Sequence, residues 1–229
     1  MYKTILIDLD DTIWDTRSNG KDSMEEVYRD YGFDRFFPDF DTYYEIYYPN
    51  NCRLWDKYRK GEITKEELII ERLYFPLKPY INYDKDFILS LNNDFLTRTT
   101  LQTKLLPYTM EVLEYLYSKY KLYILSNGFE EVQYKKINNS GLAPFFSGVI
   151  LSDKVGVNKP HPQIFEAALK TADSSKEETI MLGDSWEADI IGARNFNIDQ
   201  IWYDLGIEQP SGFEPTYHIH SLLELKEIL

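Results

Sequence analysis

The chain has 229 residues, of which 43% are hydrophobic and 28% charged, so it has the length and composition of a globular protein with a substantial core. Its formal net charge of -13 argues against nucleic acid or an anionic membrane surface as a partner, because both are negatively charged. A single cysteine, Cys52, excludes a disulfide framework, and without a visible signal segment or membrane-length apolar run we expect a cytoplasmic protein with no obligate protein partner.

The first predicted element is a buried strand that ends in acids. The apolar run Ile5-Leu6-Ile7 leads into Asp8-Leu9-Asp10. Such a run is typical of a strand in a parallel sheet, where ligands bind at the carboxyl ends of the strands. In an extended backbone Asp8 and Asp10 point the same way, so their repulsion predicts a divalent cation or a retained proton between them. The alternative is a strand followed by an ordinary polar turn.

Helical patterns fill the next part of the chain, from residue 15 to about residue 100. The predicted helices cover roughly residues 23–31, 39–48, 51–60, 64–73 and 84–97. Pro49 separates the second from the third, and Thr64-Lys-Glu-Glu67 is a capping-box pattern that opens the fourth. Tyr and Phe recur at helical spacing through this region, which is typical of a helical core. The sequence therefore predicts an α-helical domain inserted after the first strand.

Short apolar runs alternate with amphipathic segments from residue 101 to the end. Strands are predicted at 121–125, 149–151, 179–182 and 200–203, with helices such as 111–119 and 163–171 between them. This alternation with short loops predicts parallel strands joined by right-handed crossovers. We therefore expect an α/β protein whose core comprises residues 1–14 and 101–229, with residues 15–100 as a second, helical domain.

The three histidines do not predict a metal cluster, because they are few and scattered along the chain. His161 precedes Pro162 at a predicted helix start, and His218 and His220 fall on a predicted edge strand.

Polar residues follow the predicted strands where the strands end, namely Asp8, Asp10, Ser126, Asn127 and Asp184. The carboxyl ends of parallel strands lie along one edge of a sheet, so these side chains should converge. Lys159, in the segment before Pro160, is the one cation expected beside them. The predicted site thus combines three acids, a hydroxyl, an amide and an ammonium group.

These residues and their order resemble the four motifs of the haloacid dehalogenase (HAD) superfamily. The matching segments are Asp8-Leu9-Asp10-Asp11-Thr12, Ser126, Lys159-Pro160, and Gly183-Asp184-Ser185 followed by Asp189. The resemblance spans the whole core and implies a Rossmann-like parallel sheet with an inserted α-helical C1 cap. Residues 15–100 fit such a cap, which in this superfamily acts as a lid that excludes water and selects the leaving group.

The resemblance implies a Mg²⁺-dependent phosphatase that works through an aspartyl-phosphate. Asp8 is implied as the nucleophile, and Asp10 as the acid that protonates the leaving alkoxide and then deprotonates the attacking water. Asp8, Asp184 and the backbone carbonyl of Asp10 are implied as metal ligands, while Ser126 and Lys159 hold the phosphoryl oxygens. Asp189 is implied as a further metal ligand or as a residue that contacts the ligands, and the alternative is a helix residue paired with Lys159 or bonded to water. The dehalogenases of the superfamily lack an acid at the place of Asp10, because a halide leaves without a proton.

A closer resemblance is to the pyrimidine 5′-nucleotidases of HAD subfamily IA. It rests on residues 51–64, 126–129 and 155–165. It implies that the substrate is a small phosphorylated metabolite, most specifically a pyrimidine nucleoside monophosphate. Two alternatives stay open, which are a phosphatase of a small sugar or organic-acid phosphate such as phosphoglycolate, and a non-catalytic HAD-fold binding protein.

Four residues near the motifs are candidate contacts of the substrate's leaving group. Trp14 lies beside the first motif and at the entry to the cap, and its ring could stack on a base. Asn127, Gly128 and Phe129 follow the second motif, near the place where a leaving group would project.

Overall fold

The computed structural model describes residues 1–206 and 212–229. The chain divides into two compact units, one formed by Met1–Thr16 with Thr103–Leu229 and the other by Arg17–Gln102. The first strand therefore belongs to the same unit as the C-terminal half of the chain. Within the described residues, no helix combines the length and the apolar character needed to cross a membrane.

The larger unit is built on a six-stranded sheet in the order β3-β2-β1-β4-β5-β6. The strands are β1 Thr4–Ile7, β2 Lys121–Ser126, β3 Gly148–Leu151, β4 Thr179–Gly183, β5 Asp199–Tyr203 and β6 Tyr217–Ile219. Every pairing is parallel, and the last residue of β1, Ile7, pairs with Ile124 and Leu182 on its two neighbours. The prediction of a parallel α/β sheet is confirmed, and the ends of β2, β1 and β4 lie side by side.

The smaller unit contains four α-helices, which are α1 Thr16–Asp30, α2 Phe40–Arg59, α3 Lys65–Leu77 and α4 Lys85–Leu101, with a 3-10 turn at Phe33–Arg35 between the first two. The predicted break at Pro49 is wrong, because α2 runs through it. A proline inside a helix removes a hydrogen bond and costs about 3 kcal/mol. Tyr43, Tyr47 and Leu54 are buried at helical spacing on either side of it, and this burial offsets the cost.

The capping box predicted at the start of α3 is present. Thr64 Oγ1 accepts from the Glu67 amide at 3.2 Å, and Glu67 Oε2 accepts from the Thr64 amide at 2.7 Å. The core of this unit is largely aromatic, as the helical spacing indicated, and it includes Tyr28, Phe33, Phe37, Tyr43, Tyr47 and Phe95. Most aromatic side chains of this region thus stabilise the helices themselves.

Both faces of the sheet are buried, as is typical of parallel strands. Ile5 and Ile7 pack into one apolar cluster, whereas Leu6 between them packs into another on the opposite face. The α-helices of the larger unit are α5 Thr109–Tyr117, α6 Glu130–Asn139, α7 Ser152–Val155, α8 Pro162–Ala172, α9 Gly192–Asn195 and α10 Leu225–Ile228, and a π-helical turn, Trp186–Ile191, leads into α9. Residues of α5 and α10 join the first cluster and residues of α8 the second, so the sheet lies between helices in a Rossmann-like arrangement.

Candidate active site

The loop after β1 turns sharply as soon as the strand ends. Asp8 still extends the ladder, because its amide donates to the Leu182 carbonyl at 2.9 Å. Asp11 then takes a left-handed conformation with φ 59°, and the Trp14 amide donates back to the Leu9 carbonyl at 2.9 Å. The turn therefore begins after Asp10, and Leu9 still packs into the same apolar cluster as Ile5 and Ile7, as in an extended strand. The two carboxylates nevertheless have different partners.

Asp8 faces Lys159, a residue of the segment that precedes α8. Lys159 Nζ lies 2.7 Å from Asp8 Oδ1 and 2.7 Å from Asp189 Oδ1, and it donates to the Leu125 carbonyl at 2.7 Å. Its side chain is only 3% exposed. Burial alone would lower the pKa of Lys159, but the charges of Asp189 and Asp8 outweigh burial and raise it, so the lysine is a fixed cation.

Asn127 holds the backbone of Lys159 in place. Its Oδ1 accepts from the Lys159 amide at 2.7 Å, and its Nδ2 donates to the Lys159 carbonyl at 3.0 Å. The two ends of the amide thus connect the β2 loop to the lysine segment. In this arrangement Asn127 positions Lys159, whereas its predicted contact with the leaving group stays a prediction.

Asp10 has a separate set of donors, two of which come from α6. Lys136 Nζ donates to Asp10 Oδ1 at 2.6 Å, and Gln133 Nε2 donates to Asp10 Oδ2 at 2.6 Å. Thr16, the first residue of α1, adds a hydrogen bond to Oδ1 at 2.8 Å. Burial works to raise the pKa of Asp10, but Lys136 and the hydrogen bonds from Thr16 and Gln133 outweigh it and lower the pKa below its ordinary value.

Ser126 lies at the end of β2 and is tied to the same helix. Its Oγ accepts from Gln133 Nε2 at 2.7 Å and from the Gly128 amide at 3.1 Å, so its own hydrogen can be donated to a ligand. A Cβ at Gly128 would lie 2.2 Å from Gln133 Nε2. Glycine at this position therefore lets α6 approach closely enough for Gln133 to bridge Ser126 and Asp10.

Asp8, Asp184 and Asp189 form a group of acids in which Asp8 and Asp189 are buried and Asp184 is half-buried. One carboxylate oxygen of each lies within 4.8 Å of the others. Thr12 and the backbone orient Asp184, since Thr12 Oγ1 donates to its Oδ1 at 3.0 Å and accepts from its amide at 3.1 Å. A Cβ at Gly183 would lie 2.2 Å from Asp189 Oδ2, so glycine there admits the third carboxylate.

The electrostatics of this group fit a divalent metal ion. Burial raises the pKa of Asp8 to about 7, with Lys159 opposing and the charges of Asp189 and Asp10 reinforcing the shift. Burial and the charges of Asp8 and Asp189 raise the pKa of Asp184 well above its ordinary value. Three carboxylates against the one ammonium of Lys159 leave two uncompensated negative charges when all are ionised. A hard divalent ion that prefers oxygen ligands, such as Mg²⁺, matches both the charge and the donor atoms.

The structure brings together six of the predicted residues at one sheet edge, which are Asp8, Asp10, Ser126, Lys159, Asp184 and Asp189. It does not support Trp14 as a substrate contact, because that side chain is fully buried in the core. Trp14 Nε1 donates to Ser140 Oγ at 3.0 Å, and Lys136 Nζ lies 4.3 Å from the ring centroid. The side chain of Phe129 is likewise buried, only 2% exposed, and its predicted contact with the leaving group stays a prediction.

Gln133 and Lys136 belong to the site although no motif indicated them. The expectation that Lys159 is the one cation is wrong, because Lys136 is also buried here, with 7% of its side chain exposed. Both residues lie one turn apart on α6, directly after the second motif. Their spacing of three residues, directly after the second motif, could have indicated that both face the site. It was missed because two consecutive lysines, Lys135 and Lys136, are typical of a solvent-exposed helix face.

The histidines also differ from expectation. His218 lies on the edge strand β6 as predicted, whereas His220 directly follows it, and both meet Asp204 there, so they are not scattered in space.

Comparison with known proteins relates the whole chain to one group of enzymes. A family model described as a haloacid dehalogenase-like hydrolase matches residues 2–197. The pyrimidine 5′-nucleotidase PynA of Streptococcus pneumoniae is 31% identical, over 100% of this chain and 95% of the relative. The pyrimidine 5′-nucleotidase YjjG of Escherichia coli is 29% identical, over 98% of this chain and 96% of the relative. The crystal structure of the HAD-hydrolase YfnB from Bacillus subtilis bound to magnesium superimposes with a TM-score of 0.88 at 28% identity, over 99% of this chain and 98% of that one.

Proposed function

This chain belongs to the haloacid dehalogenase-like hydrolases, and from that premise we propose that it is a Mg²⁺-dependent phosphatase of phosphate monoesters. The observation that carries the proposal is the different surroundings of two carboxylates at one strand end. Asp8 faces Lys159 and two further acids, whereas Asp10 faces Lys136, Gln133 and Thr16. Ester hydrolysis needs a nucleophile and a separate group that moves protons, and the site offers one carboxylate for each.

In the first half-reaction, a carboxylate oxygen of Asp8 forms a bond to phosphorus while the bond from phosphorus to the ester oxygen breaks. The departing alkoxide takes a proton from Asp10. Lys136 keeps Asp10 ionised while no substrate is bound. A phosphate dianion beside Asp10 opposes that effect and favours its protonation as the substrate binds.

In the second half-reaction, Asp10 accepts a proton from water, whose oxygen attacks the phosphorus of the aspartyl-phosphate. The bond between phosphorus and Asp8 breaks, which regenerates the carboxylate and releases inorganic phosphate. The lowered pKa of Asp10 keeps it a carboxylate that can accept this proton at neutral pH.

Other residues bind the phosphoryl group and the metal. The ammonium of Lys159 and the hydroxyl of Ser126 would hold phosphoryl oxygens. Asp8, Asp184 and the backbone carbonyl of Asp10 would hold Mg²⁺. When bound, the ion neutralises the repulsion between Asp8 and the phosphate. Asp189, paired with Lys159 at 2.7 Å, is proposed to position that lysine.

Pyrimidine nucleoside monophosphates are the proposed substrates. The support is that two relatives named pyrimidine 5′-nucleotidases align over 98–100% of this chain. A substrate panel with Mg²⁺ tests this, comparing kcat/KM for UMP, dUMP and TMP with that for phosphoglycolate, glyceraldehyde 3-phosphate and sugar phosphates. We expect the three nucleotides to lead the panel.

Two results separate the alternatives. Faster turnover of phosphoglycolate or of a sugar phosphate would replace the nucleotidase proposal with that of a small-metabolite phosphatase. If p-nitrophenyl phosphate is not hydrolysed with Mg²⁺, the phosphatase proposal itself is wrong and a binding protein remains. Equally fast hydrolysis with EDTA would instead overturn the Mg²⁺ dependence.

A further inference from the structure

A second cluster of metal-ligating side chains lies at the far edge of the sheet. Side chains alternate between the two faces of a strand, so His218 and His220 share one face of β6 and its extension while Ile219 points into the core. Asp204 follows β5, and its amide donates to the Ile219 carbonyl at 2.9 Å. This backbone hydrogen bond places the carboxylate of Asp204 beside both imidazoles.

The three side chains converge through specific atoms. Asp204 Oδ2 lies 3.1 Å from His218 Nε2 and 3.8 Å from His220 Nδ1, and one ligand atom of each residue lies within 4.8 Å of the others. The other oxygen, Asp204 Oδ1, accepts from the Gly206 amide at 2.7 Å. That hydrogen bond keeps Oδ2 directed at the imidazoles.

The surroundings of the histidines fix their positions further. The ring of His218 stacks on Trp202 with centroids 4.4 Å apart and an interplanar angle of 22°. The backbone amide of His220 donates to Glu224 Oε1 at 2.9 Å, and the side chain of Glu224 also caps the turn that begins at Ser221. The ligand set is therefore held by two strands, an aromatic stack and a capping box.

We propose that Asp204, His218 and His220 form a binding site for a divalent transition-metal ion of the zinc type. Two imidazoles and one carboxylate are the donors that such ions prefer, whereas Mg²⁺ prefers oxygens alone. Tetrahedral zinc with bonds of about 2.0–2.1 Å needs ligand atoms roughly 3.3 Å apart. The two distances from Asp204 Oδ2, 3.1 Å and 3.8 Å, are on either side of that value.

The site is open enough for an ion to enter and for water to complete its coordination. The side chains of His218 and His220 are 35% and 68% exposed. A three-residue set with an open fourth position is the arrangement of accessible zinc sites. This site is chemically distinct from the group of acids Asp8, Asp184 and Asp189, which offers only oxygens.

The test is a titration of the full-length protein with Zn²⁺ by isothermal calorimetry. Saturating Mg²⁺ is present throughout, so that Zn²⁺ does not report on that group of acids. We expect one Zn²⁺ per chain. His220→Ala and His218→Ala should each weaken Zn²⁺ binding by at least about tenfold, because each removes a ligand. His161→Ala is the matched control and should leave Zn²⁺ binding unchanged.

A second measurement uses the small number of histidines. The chain has three, so proton NMR gives three imidazole signals to follow during the same titration. Zn²⁺ should move the signals of His218 and His220 and leave that of His161 in place. No Zn²⁺ uptake in Mg²⁺, uptake equally strong in His220→Ala and His161→Ala, or unmoved His218 and His220 signals would each overturn the proposal. Thermal melts without Zn²⁺ show whether each variant is folded.

Discussion

Lys136 Nζ lies 2.6 Å from Asp10 Oδ1, although 126 residues separate them in sequence. The lysine is buried above the ring of Trp14 and reaches the one carboxylate that we propose moves protons. A cation fixed at this distance stabilises the carboxylate form of Asp10 and lowers its pKa. Lys136 is therefore a positioning and pKa-setting residue for Asp10.

Replacing this lysine should change the pH dependence of turnover. In Lys136→Ala, loss of the cation raises the pKa of Asp10, so the limb of the pH–kcat/KM profile that Asp10 controls should move to higher pH. Because Asp10 also loses the contact that holds its carboxylate in place, we expect kcat/KM at neutral pH to fall about 10–100-fold, within the range of a general acid–base contribution. Lys135→Ala, on the exposed face of the same helix, is the control. A profile in Lys136→Ala that coincides with that of Lys135→Ala would contradict this role.

Asp8→Asn should abolish turnover, because an amide oxygen is a poor nucleophile and a weaker metal ligand. We expect kcat to fall by at least about 10³-fold. The melting temperature without Mg²⁺ should not fall, since the substitution removes a buried charge whose pKa is raised by burial. Asp173→Asn is the control, because it makes the same change of carboxylate to amide at an exposed position, where asparagine tolerates the left-handed backbone. Activity of Asp8→Asn near that of the control would exclude Asp8 as the nucleophile.

Lys159→Ala should damage both folding and activity. It leaves Asp8 and Asp189 buried without their shared cation, and loss of one partner of a buried pair costs about 3–5 kcal/mol. Chemical denaturation without metal measures this loss. Mg²⁺ should recover part of the stability but not the turnover, because the lysine is also proposed to hold the phosphoryl group. Lys154→Ala removes an exposed ion pair with Glu130 and should change neither quantity. Equal stability of the two variants would count against the buried pair.

Magnesium should stabilise the protein more at pH 8 than at pH 6. The pKa of Asp8 is raised to about 7, so without metal the folded state holds a proton that the unfolded chain releases near its ordinary pKa of about 4. The metal-free protein therefore loses stability as pH rises between these values. Mg²⁺ competes with that proton, so the melting-temperature gain on adding it should grow with pH.

Melting curves at pH 6 and pH 8 measure this difference. NaCl at matched ionic strength separates metal binding from general screening. If Mg²⁺ raises the melting temperature equally at both pH values, it does not displace a proton from Asp8, and the prediction is wrong.

Much of the fold follows from local patterns in the sequence. The apolar runs before Ser126, Ser152 and Gly183 became β2, β3 and β4 close to their predicted bounds, because a short apolar run followed by polar residues is typical of a buried parallel strand. Thr64 and Glu67 cap a helix by contacts within four residues, which sequence spacing alone specifies. The break predicted at Pro49 failed because burial of aromatic side chains along α2, a tertiary effect, outweighed the local cost.

By itself the sequence determined the acids at the strand ends, because each directly follows a strand whose place in a parallel sheet is readable. It did not determine which groups would surround them. Only the tertiary structure shows that Lys136 contacts Asp10, that Trp14 is buried in the core, and that His218 and His220 lie beside Asp204. These relationships join distant segments through the packing of helices and neighbouring strands. Two carboxylates that are equivalent in the sequence therefore differ in charge environment only once the chain has folded.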